Sequence, residues 1–293
     1  MEKDSLLIVG NGFDLSMGFK TSYGDFMRSQ YFQKNNSSLC SYLCSKYREN
    51  MGWIDIENEL SEYSKLLSKF ELTPKTGKIQ LGAEVFREEY EELKSSLKNY
   101  LQEETKESFV MRKDNFAKRV VDELPADSKI ISFNYTSIIE RLTWDKFKDS
   151  AGNLLHIHGS LASYDDIVFG VEDSAKLPKE HVFLYKAYSQ SLKAREFSLW
   201  LDSAERVIFY GYSLGDTDRQ YYENFFQKLC SEKSRNMDLV FYYYGQSSYD
   251  NLIWQLQMLT KHKLTQLQIY NQIEFLIAQC RKKLMLFHPA QTL

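Results

Sequence analysis

The sequence predicts an α/β protein with a Rossmann-like, mainly parallel sheet and a large helical insertion. Three observations support this class. A short apolar run at residues 6–9 leads straight into a glycine turn and a helical segment. Further short apolar runs alternate with helical segments after Pro125, which is typical of a parallel sheet covered by helices. With 293 residues, the chain is long enough to bury a large core and still carry an insertion.

The turn after the first strand consists of small and polar residues and one phenylalanine: Gly10, Asn11, Gly12, Phe13 and Asp14. Two glycines in such a turn let the backbone approach a ligand, and the helix that follows presents unpaired N–H groups to an anion. A third glycine, Gly18, stands later than in the standard dinucleotide fingerprint. The turn therefore predicts a phosphate site without identifying the ligand.

Residues 35–124 are predicted to form a helical insertion that covers the site, between two core segments, 1–34 and 125–293. Apolar residues recur at helical spacing in two parts of the insertion. These residues are Leu39, Tyr42, Leu43 and Tyr47 in the first part and Phe86, Tyr90, Leu93, Leu97 and Leu101 in the second.

The second core segment contains most of the predicted strands. Five apolar runs are predicted to be buried strands: residues 129–133, 154–158, 167–169, 206–210 and 239–243. Helices are predicted over residues 137–147, 190–202, 217–229, 251–259 and 273–286. Residues 267–270 are interpreted as a last strand or a linker.

Polar motifs follow several predicted strands at the end where each strand stops. They contribute Asn134 after the second strand, His158, Gly159 and Ser160 after the third, and Gly211, Ser213 and Asp216 after the fifth. Because the carboxyl ends of parallel strands meet at one edge of a sheet, these residues are expected to lie together with the opening turn. Each also has a local interpretation. Asn134 suits a helix cap, and His158 suits the core.

Two smaller groups suggest other roles. His156 and His158 alternate on one strand face, which permits a metal site, but no third ligand with suitable spacing accompanies them. Asp55, Glu57 and Glu59 open a helix in the insertion, where a cap and first-turn acids are favoured by the helix dipole. A carboxylate held over the pocket would instead contact ribose hydroxyls or a water.

The composition of the chain argues against several classes of function. The 37 basic and 40 acidic residues give a net charge of −3, which provides no overall electrostatic footprint for nucleic acid. Four cysteines without a Cys-x-x-Cys pair argue against a disulfide framework or a structural zinc site. The first apolar run is too short for a signal peptide, and none approaches the length of a membrane helix. The protein is expected to be cytoplasmic.

A set of segments spread over nearly the whole chain resembles the AbiH family of bacterial abortive-infection proteins: residues 6–14, 21–23, 53–57, 133–135, 156–160 and 211–218. AbiH proteins are similar in turn to the sirtuin-like superfamily of NAD-binding domains. Gly10, Gly12 and Gly18 have the spacing of the sirtuin-like glycines. The superfamily's Asn-x-Asp, His-Gly and Gly-x-Ser motifs resemble, in the same order, residues 134–136, 158–159 and 211–213.

The resemblance implies that the protein binds NAD as its substrate and hydrolyses the nicotinamide N-glycosidic bond, giving nicotinamide and ADP-ribose. His158 would be the general base, and Asn134 would orient the water and the ribose hydroxyls. The opening turn would cradle the diphosphate with Thr21 or Ser22, and Gly211 and Ser213 would flank the adenosine. The residues expected to contact the cofactor are Gly10, Asn11, Gly12, Phe13, Asp14, Thr21, Ser22, Gly159, Ser160, Gly211, Ser213 and Asp216.

The chain also departs from the superfamily pattern. The paired Cys-x-x-Cys motifs of deacetylating sirtuins are missing after His158, so removal of acyl groups from lysine is not expected. Thr136 replaces the aspartate of Asn-x-Asp, and Phe13 and Asp14 replace a small residue and a serine.

The leading hypothesis is therefore an anti-phage NAD glycohydrolase that depletes the host's NAD, needs no metal and is held inactive until a phage-derived trigger arrives. Self-association into a homo-oligomer, or a lid formed by the insertion, would provide such control. Two alternatives remain open. One is a non-catalytic sensor of NAD or ADP-ribose. The other is a metal-dependent nuclease that uses Asp55, Glu57 and Glu59.

Overall fold

The computed structural model describes residues 4–71, 79–106, 115–147, 151–162, 166–190, 192–231 and 236–278. Within them, six parallel strands form one sheet in the order β3-β2-β1-β4-β5-β6. The strands are β1 (Ser5–Val9), β2 (Lys129–Ser132), β3 (Leu154–His156), β4 (Arg206–Tyr210), β5 (Asp238–Tyr243) and β6 (Gln272–Ile277). The predicted α/β class with a Rossmann-like parallel sheet is confirmed.

Helices occupy most of the remaining described chain. Seven lie between the first two strands: α1 (Asn11–Ser16), α2 (Tyr23–Arg28), α3 (Gln30–Gln33), α4 (Ser38–Glu49), α5 (Ile56–Glu71), α6 (Ile79–Glu104) and α7 (Phe116–Asp122). The others are α8 (Ile138–Phe147), α9 (Ala194–Ser203), α10 (Arg219–Leu229), α11 (Gly245–Leu259) and α12 (Leu264–Tyr270). None of these described helices is both long and apolar enough to cross a membrane.

Both faces of the sheet are buried at the central strands β1 and β4, which explains why these strands appear as continuous apolar runs. In β1, Leu6 and Ile8 pack on one face with residues of α9, α10, α11 and α12. Leu7 and Val9 pack on the opposite face with residues of α7 and α8. Successive side chains of a strand point to opposite faces, so five consecutive buried residues require helices on both sides.

A third hydrophobic cluster holds the insertion together, and its limits differ from those of the predicted segment. It joins α2 and α3 to α4, α5 and α6. Helix α7, within the predicted insertion, packs against the sheet instead. Residues 167–169 form no strand, although they were predicted to be one, and Ile167 and Phe169 belong to the third cluster. They are apolar because they are buried against helices, a case that periodicity alone does not separate from a strand.

The C-terminal part corrects two further predictions. Residues 267–270, interpreted as a strand or linker, end α12, which buries Leu264 and Leu267 one turn apart. Residues 272–277 form β6, the edge strand beside β5, where a helix over 273–286 was predicted. The part of that prediction beyond residue 278 lies outside the described residues. Short apolar runs are ambiguous between helix and strand, and pairing with β5 decides the outcome.

The strand order places a topological switch point between β1 and β4. The chain leaves β1 towards β2 and β3 on one side, then returns to β4 on the other side of β1. In doubly wound folds of this order, the loops after the two central strands diverge and leave a crevice where dinucleotides bind. The glycine turns after β1 and β4 lie at this crevice.

Candidate functional site

A cleft of about 530 Å³ lies beyond the carboxyl ends of the strands. Its floor consists of residues that follow β1, β2, β3 and β4: Gly10, Asn11, Gly12, Asp14, Phe133, Asn134, Tyr135, Thr136, His158, Gly211, Tyr212 and Ser213. Its opposite wall comes from the helical cluster and includes Thr21, Ser22, Tyr23, Trp53, Asp55, Glu57, Leu97 and Leu101. The structure therefore brings the four predicted strand ends together, under residues of the insertion.

The two glycine turns touch each other at the switch point. Gly12 N–H donates to the Gly211 carbonyl at 2.8 Å, and a Cβ at Gly12 would lie 2.6 Å from the Gly211 Cα. Gly211 has a φ of +62°, and a Cβ there would lie 2.2 Å from the Phe13 nitrogen. The two turns can therefore contact each other only because Gly12 and Gly211 have no side chains. The Gly12 amide is engaged by the protein backbone.

Gly18 has a different role from Gly10 and Gly12. It follows α1 with a φ of +96°, and a Cβ there would meet nothing within 4 Å. Its N–H donates to the Leu15 carbonyl, and Phe19 N–H donates to the Asp14 carbonyl. These two bonds form a Schellman motif, which closes a helix with a left-handed glycine. Gly18, the third glycine of the spacing noted in the sequence, therefore terminates a helix and does not line the cleft.

The side chain of Asn134 forms hydrogen bonds to the turn after β1. Its Nδ2 donates to the Gly10 carbonyl at 3.1 Å and to Asp14 Oδ1 at 2.8 Å. Thr136 Oγ1 donates to the other Asp14 oxygen at 2.5 Å. The amide donors of Asn134 are thus used to position the turn, and the residue does not cap α8, which begins at Ile138.

Asp14 is almost completely buried in this arrangement, and its side chain does not cap α1. Burial raises the pKa of Asp14 to about 7, against the opposing effect of its bonds from Thr136 and Asn134. Asp14 therefore joins the turn after β1 to the turn after β2 through Asn134 and Thr136.

The variant Asp14→Asn is expected to remove a pH dependence of stability. Because the folded-state pKa lies above the unfolded one, the wild type gains stability as pH falls from about 7 towards 4. The free energy of unfolding of Asp14→Asn, relative to wild type, should be higher at pH 8 than at pH 5 by about 2–3 kcal/mol. Urea unfolding at both pH values measures this, with the exposed Asp202→Asn as control. An equal difference at both values contradicts it.

His158 projects into the cleft with an unsatisfied nitrogen. Its side chain is 5% exposed, and its Nε2 lies 3.4 Å from Asp218 Oδ1, in an orientation that makes no hydrogen bond. Burial, with the nearby charge of Lys186, lowers the pKa of His158 to about 3 despite Asp218. The ring packs edge-on against Phe133 at 5.3 Å between centroids. His158 is therefore a neutral imidazole that offers a buried, unpartnered Nε2.

His156 does not share the environment of His158, because β3 ends at His156 and the chain turns. Its Nδ1 lies 2.9 Å from the Asn134 carbonyl, and its Nε2 lies 2.7 Å from Glu140 Oε1. Both partners are acceptors, so both ring nitrogens donate. Burial opposes the charged ring, but the Glu140 interaction prevails and raises the pKa of His156. His156 is a structural ion-pair partner, and the two histidines do not form a joint site.

A buried lysine connects three parts of the cleft wall. Lys186 begins a short 3₁₀ turn and is 1% exposed, and its Nζ lies 2.8 Å from Asp218 Oδ1 and 3.1 Å from Glu57 Oε2. Its Nζ also donates to the Thr217 carbonyl at 2.9 Å. Glu57 belongs to the first turn of α5, and Asp218 follows β4. The lysine thus joins the helical cluster to the sheet.

The two carboxylates beside this lysine have different proton affinities. Burial would raise the pKa of Asp218, but Lys186 and a bond from Tyr212 hold it below its usual value. Burial raises the pKa of Glu57 to about 7, because Lys186 compensates it less completely and Asp218 adds a like charge. Such a pair, with pKa values pushed apart, is characteristic of acid–base sites.

The remaining acids of the insertion have local roles. Asp55 Oδ1 accepts from the Asn58 N–H at 3.2 Å and caps α5, which agrees with the local interpretation of the sequence. Glu59 accepts from Tyr42 OH at 2.8 Å and does not line the cleft. The three acids Asp55, Glu57 and Glu59 therefore do not converge. In the described part of the chain, no group of three or more His, Cys, Asp or Glu residues is arranged to hold a metal ion.

Three of the residues predicted to contact the cofactor have polar partners within the protein. Thr21 Oγ1 donates to Asn11 Oδ1 at 2.6 Å, which ties the opening turn to the start of α2. Ser22 forms a capping box with Asp25 at the N-terminus of α2. All three predicted residues, Asn11, Thr21 and Ser22, line the cleft, with their polar groups oriented by these bonds.

Three other predicted residues do not line the cleft. Phe13 is fully buried in the core and packs edge-on against Tyr210, because the first turn of α1 directs it towards the sheet. Gly159 has a φ of +74°, and a Cβ there would lie 2.4 Å from the Asp166 carbonyl oxygen, so it serves chain packing. Ser160 is buried behind it. Gly211 and Ser213 do line the cleft, and the side chain of Asp216 lies outside the described part.

Sequence reasoning missed Lys186 and Asp218 and left Tyr135 outside the predicted contacts. Tyr135 OH lies 3.3 Å from Glu57 Oε1 and 3.1 Å from the Val168 carbonyl. Asp218 stands two residues after the predicted Asp216, so the motif indicated the correct turn. Lys186 has no motif around it. A lone lysine between apolar and aromatic residues was the only signal, and it is a weak one.

The chain matches a known protein family over most of its length. Residues 6–243 match the family described as Bacteriophage abortive infection AbiH. No curated protein matches the chain. The match begins in β1 and ends with β5, so it includes the glycine turns, the helical cluster and every residue of the cleft floor. The chain therefore belongs to the AbiH family of bacteriophage abortive infection proteins.

Proposed function

We propose that this protein acts in abortive infection by hydrolysing NAD to nicotinamide and ADP-ribose. The observation that supports this most directly is a buried, neutral His158 whose unpartnered Nε2 lies in the crevice of a doubly wound sheet. Loss of NAD would stop the metabolism of an infected cell, which agrees with the role of the family.

The fold and the size of the cleft suit a dinucleotide. The strand order is that of the dinucleotide-binding doubly wound fold, and the glycine turns lie at its switch point. Pockets for small ligands and cofactors have volumes of about 300–1,000 Å³, and this cleft lies within that range at about 530 Å³. The residues after four strands provide both backbone groups and side chains to such a ligand.

The charges of the cleft suit cleavage of a nicotinamide ribosyl bond. The leaving group is already cationic, so the enzyme needs chiefly to stabilise a positive ribose and to position water. Glu57 and Asp218 supply negative charge beside the cleft. His158 accepts a hydrogen bond from a ribose hydroxyl, and Asn134 acts as a positioning residue through Gly10 and Asp14. Leu97 and Leu101 of α6 limit the access of water from the opposite wall.

The test is release of nicotinamide from NAD by purified protein, with and without a phage lysate as trigger. His158→Ala and Asn134→Ala are each expected to lower the rate by about 10²-fold or more. His262→Asn serves as a matched control, because His262 is exposed and asparagine tolerates its φ of +62°. Wild-type protein that leaves NAD intact, together with variants that still protect cells from phage, would contradict the proposal.

One observation favours a second candidate, a sensor that binds NAD or ADP-ribose without turnover. A histidine with a pKa of about 3 is a weak base at neutral pH, although it accepts hydrogen bonds well. Calorimetry distinguishes the two candidates. A sensor binds the nucleotide in a 1:1 complex and releases no nicotinamide, whereas a hydrolase consumes NAD during the titration.

A further inference from the structure

Three charged groups from three separate parts of the chain meet beside the cleft and are hidden from solvent. Lys186 contacts both Asp218 and Glu57, at 2.8 and 3.1 Å, and the carboxylate side chains are 13% and 8% exposed. One ammonium group thus serves two buried carboxylates. One lysine can neutralise the charge of one ionised carboxylate but not of two. The carboxylate whose charge is less well neutralised is therefore the group that exchanges a proton.

The hydrogen bonds indicate which carboxylate is less compensated. Asp218 has the shorter contact to Lys186 and also accepts from Tyr212 OH at 3.0 Å. Glu57 has the longer contact and lies 3.3 Å from Tyr135 OH, a hydroxyl that is shared with the Val168 carbonyl. In the described part of the chain, the titratable groups that face Glu57 are Lys186, Asp218, Asp55, Tyr23, Tyr90 and Tyr135. Lys186 is the only cation among these six.

We propose that Glu57 takes the proton from the attacking water and that the Lys186–Asp218 pair sets its affinity for that proton. This inference rests on the proposed hydrolysis of NAD. It assigns proton transfer to a carboxylate of the insertion and leaves His158 as a neutral hydrogen-bond acceptor.

The step is balanced without a redox partner. The water oxygen forms a bond to the anomeric carbon of the nicotinamide ribose, and the bond from that carbon to the pyridinium nitrogen breaks. The electron pair of the broken bond stays on that nitrogen, which makes neutral nicotinamide. One water proton passes to the Glu57 carboxylate and is later released to solvent. The other remains on the new hydroxyl of ADP-ribose.

The pH profile of the rate separates Glu57 from His158 as the base. Glu57 must be ionised to accept a proton, and its pKa lies at about 7. The rate should therefore fall about tenfold for each pH unit below that value and level off above it. With His158 as the base, whose pKa lies at about 3, the rate would stay constant between pH 5 and pH 8.

The experiment compares kcat, KM and pH profiles for wild type, Glu57→Gln and Glu59→Gln. Glu59 is a matched control, since it lies on the same helix, bonds to Tyr42 and does not line the cleft. Glu57→Gln is expected to lose about 10²-fold or more in kcat with little change in KM, and to lose the acidic limb. Glu59→Gln should keep both. Added formate should partly restore the rate of Glu57→Ala, which a purely structural role would not produce.

Each result decides between the proposals. If wild type cleaves NAD with a flat profile, or if Glu57→Gln keeps its rate and acidic limb, the role of Glu57 is overturned while the reaction stands. If Glu57→Gln is inactive because it is unfolded, circular dichroism shows it, and formate rescue of a folded Glu57→Ala decides instead. Wild-type protein that releases no nicotinamide overturns the reaction itself and this step with it.

Discussion

Gly211→Ala should lower the free energy of unfolding by about 2–5 kcal/mol and abolish nucleotide binding. Two costs add. A left-handed conformation costs an L-residue about 1–2 kcal/mol, and Gly211 has a φ of +62°. Overpacking adds about 1–3 kcal/mol, because the new methyl would lie 2.2 Å from the Phe13 nitrogen and 2.4 Å from the Gly12 carbonyl carbon. Urea unfolding and calorimetric titration with NAD measure the two effects.

Gly245→Ala is the matched control for this prediction. Gly245 has a similar φ of +73°, but a Cβ there would meet nothing within 4 Å. It should therefore show only the conformational cost, about 1–2 kcal/mol, and leave binding unchanged. Equal losses of stability for the two variants would show that the turns after β1 and β4 do not depend on close contact.

Lys186→Met should lower the free energy of unfolding by about 3–5 kcal/mol at pH 8. The methionine retains the volume of the lysine but leaves the carboxylates of Asp218 and Glu57 buried without a cation. Removing one partner of a buried ion pair costs more than the pair contributes, because the remaining charge is desolvated and uncompensated. The wall between the helical cluster and the sheet would then be the first region to open, which hydrogen exchange detects.

The loss caused by Lys186→Met should shrink as pH falls. In the wild type, Lys186 holds the pKa of Asp218 below its usual value, so this stabilisation is complete above the unfolded pKa and disappears on acidification. In the variant both carboxylates bind protons more readily, and protonation removes the buried charge. The control is Lys65→Met, whose exposed pair with Glu62 should contribute less than about 1 kcal/mol. A deficit of equal size at pH 5 and pH 8 contradicts this account of the buried charges.

Much of the fold could be predicted because local patterns and tertiary structure agree in the sheet. Residues 6–9, 129–133 and 206–210 are apolar runs of strand length, and each became a strand within about one residue of its predicted limits. Residues 167–169 are also an apolar run but pack among helices. Residues 272–277 form an edge strand, in which exposed and partly buried residues alternate only weakly. Burial makes a segment apolar whichever element it forms, so these two cases required knowledge of neighbours.

The candidate site was predictable where a single turn determines the chemistry. Gly10, Gly12 and Gly211 were identified because a glycine directly after a buried strand is typical of a tight turn at the ligand-binding edge of a sheet. His158 was identified because it follows a strand at the same edge. Asn134 also lines the cleft, but its amide donors bind Gly10 and Asp14. That role depends on contact between two turns that are 120 or more residues apart in the sequence, and local residue spacing does not indicate such a contact.

By itself, the sequence determined the parallel α/β class, the family and the edge of the sheet where polar residues gather, because each follows from short-range patterns. Only the tertiary structure decided that Gly18 closes a helix, that Phe13 is core, and that Lys186 joins Glu57 to Asp218. Those outcomes depend on burial and on electrostatic compensation between distant segments. The pKa of an ionisable side chain depends on the groups packed around it, and the fold determines which groups these are.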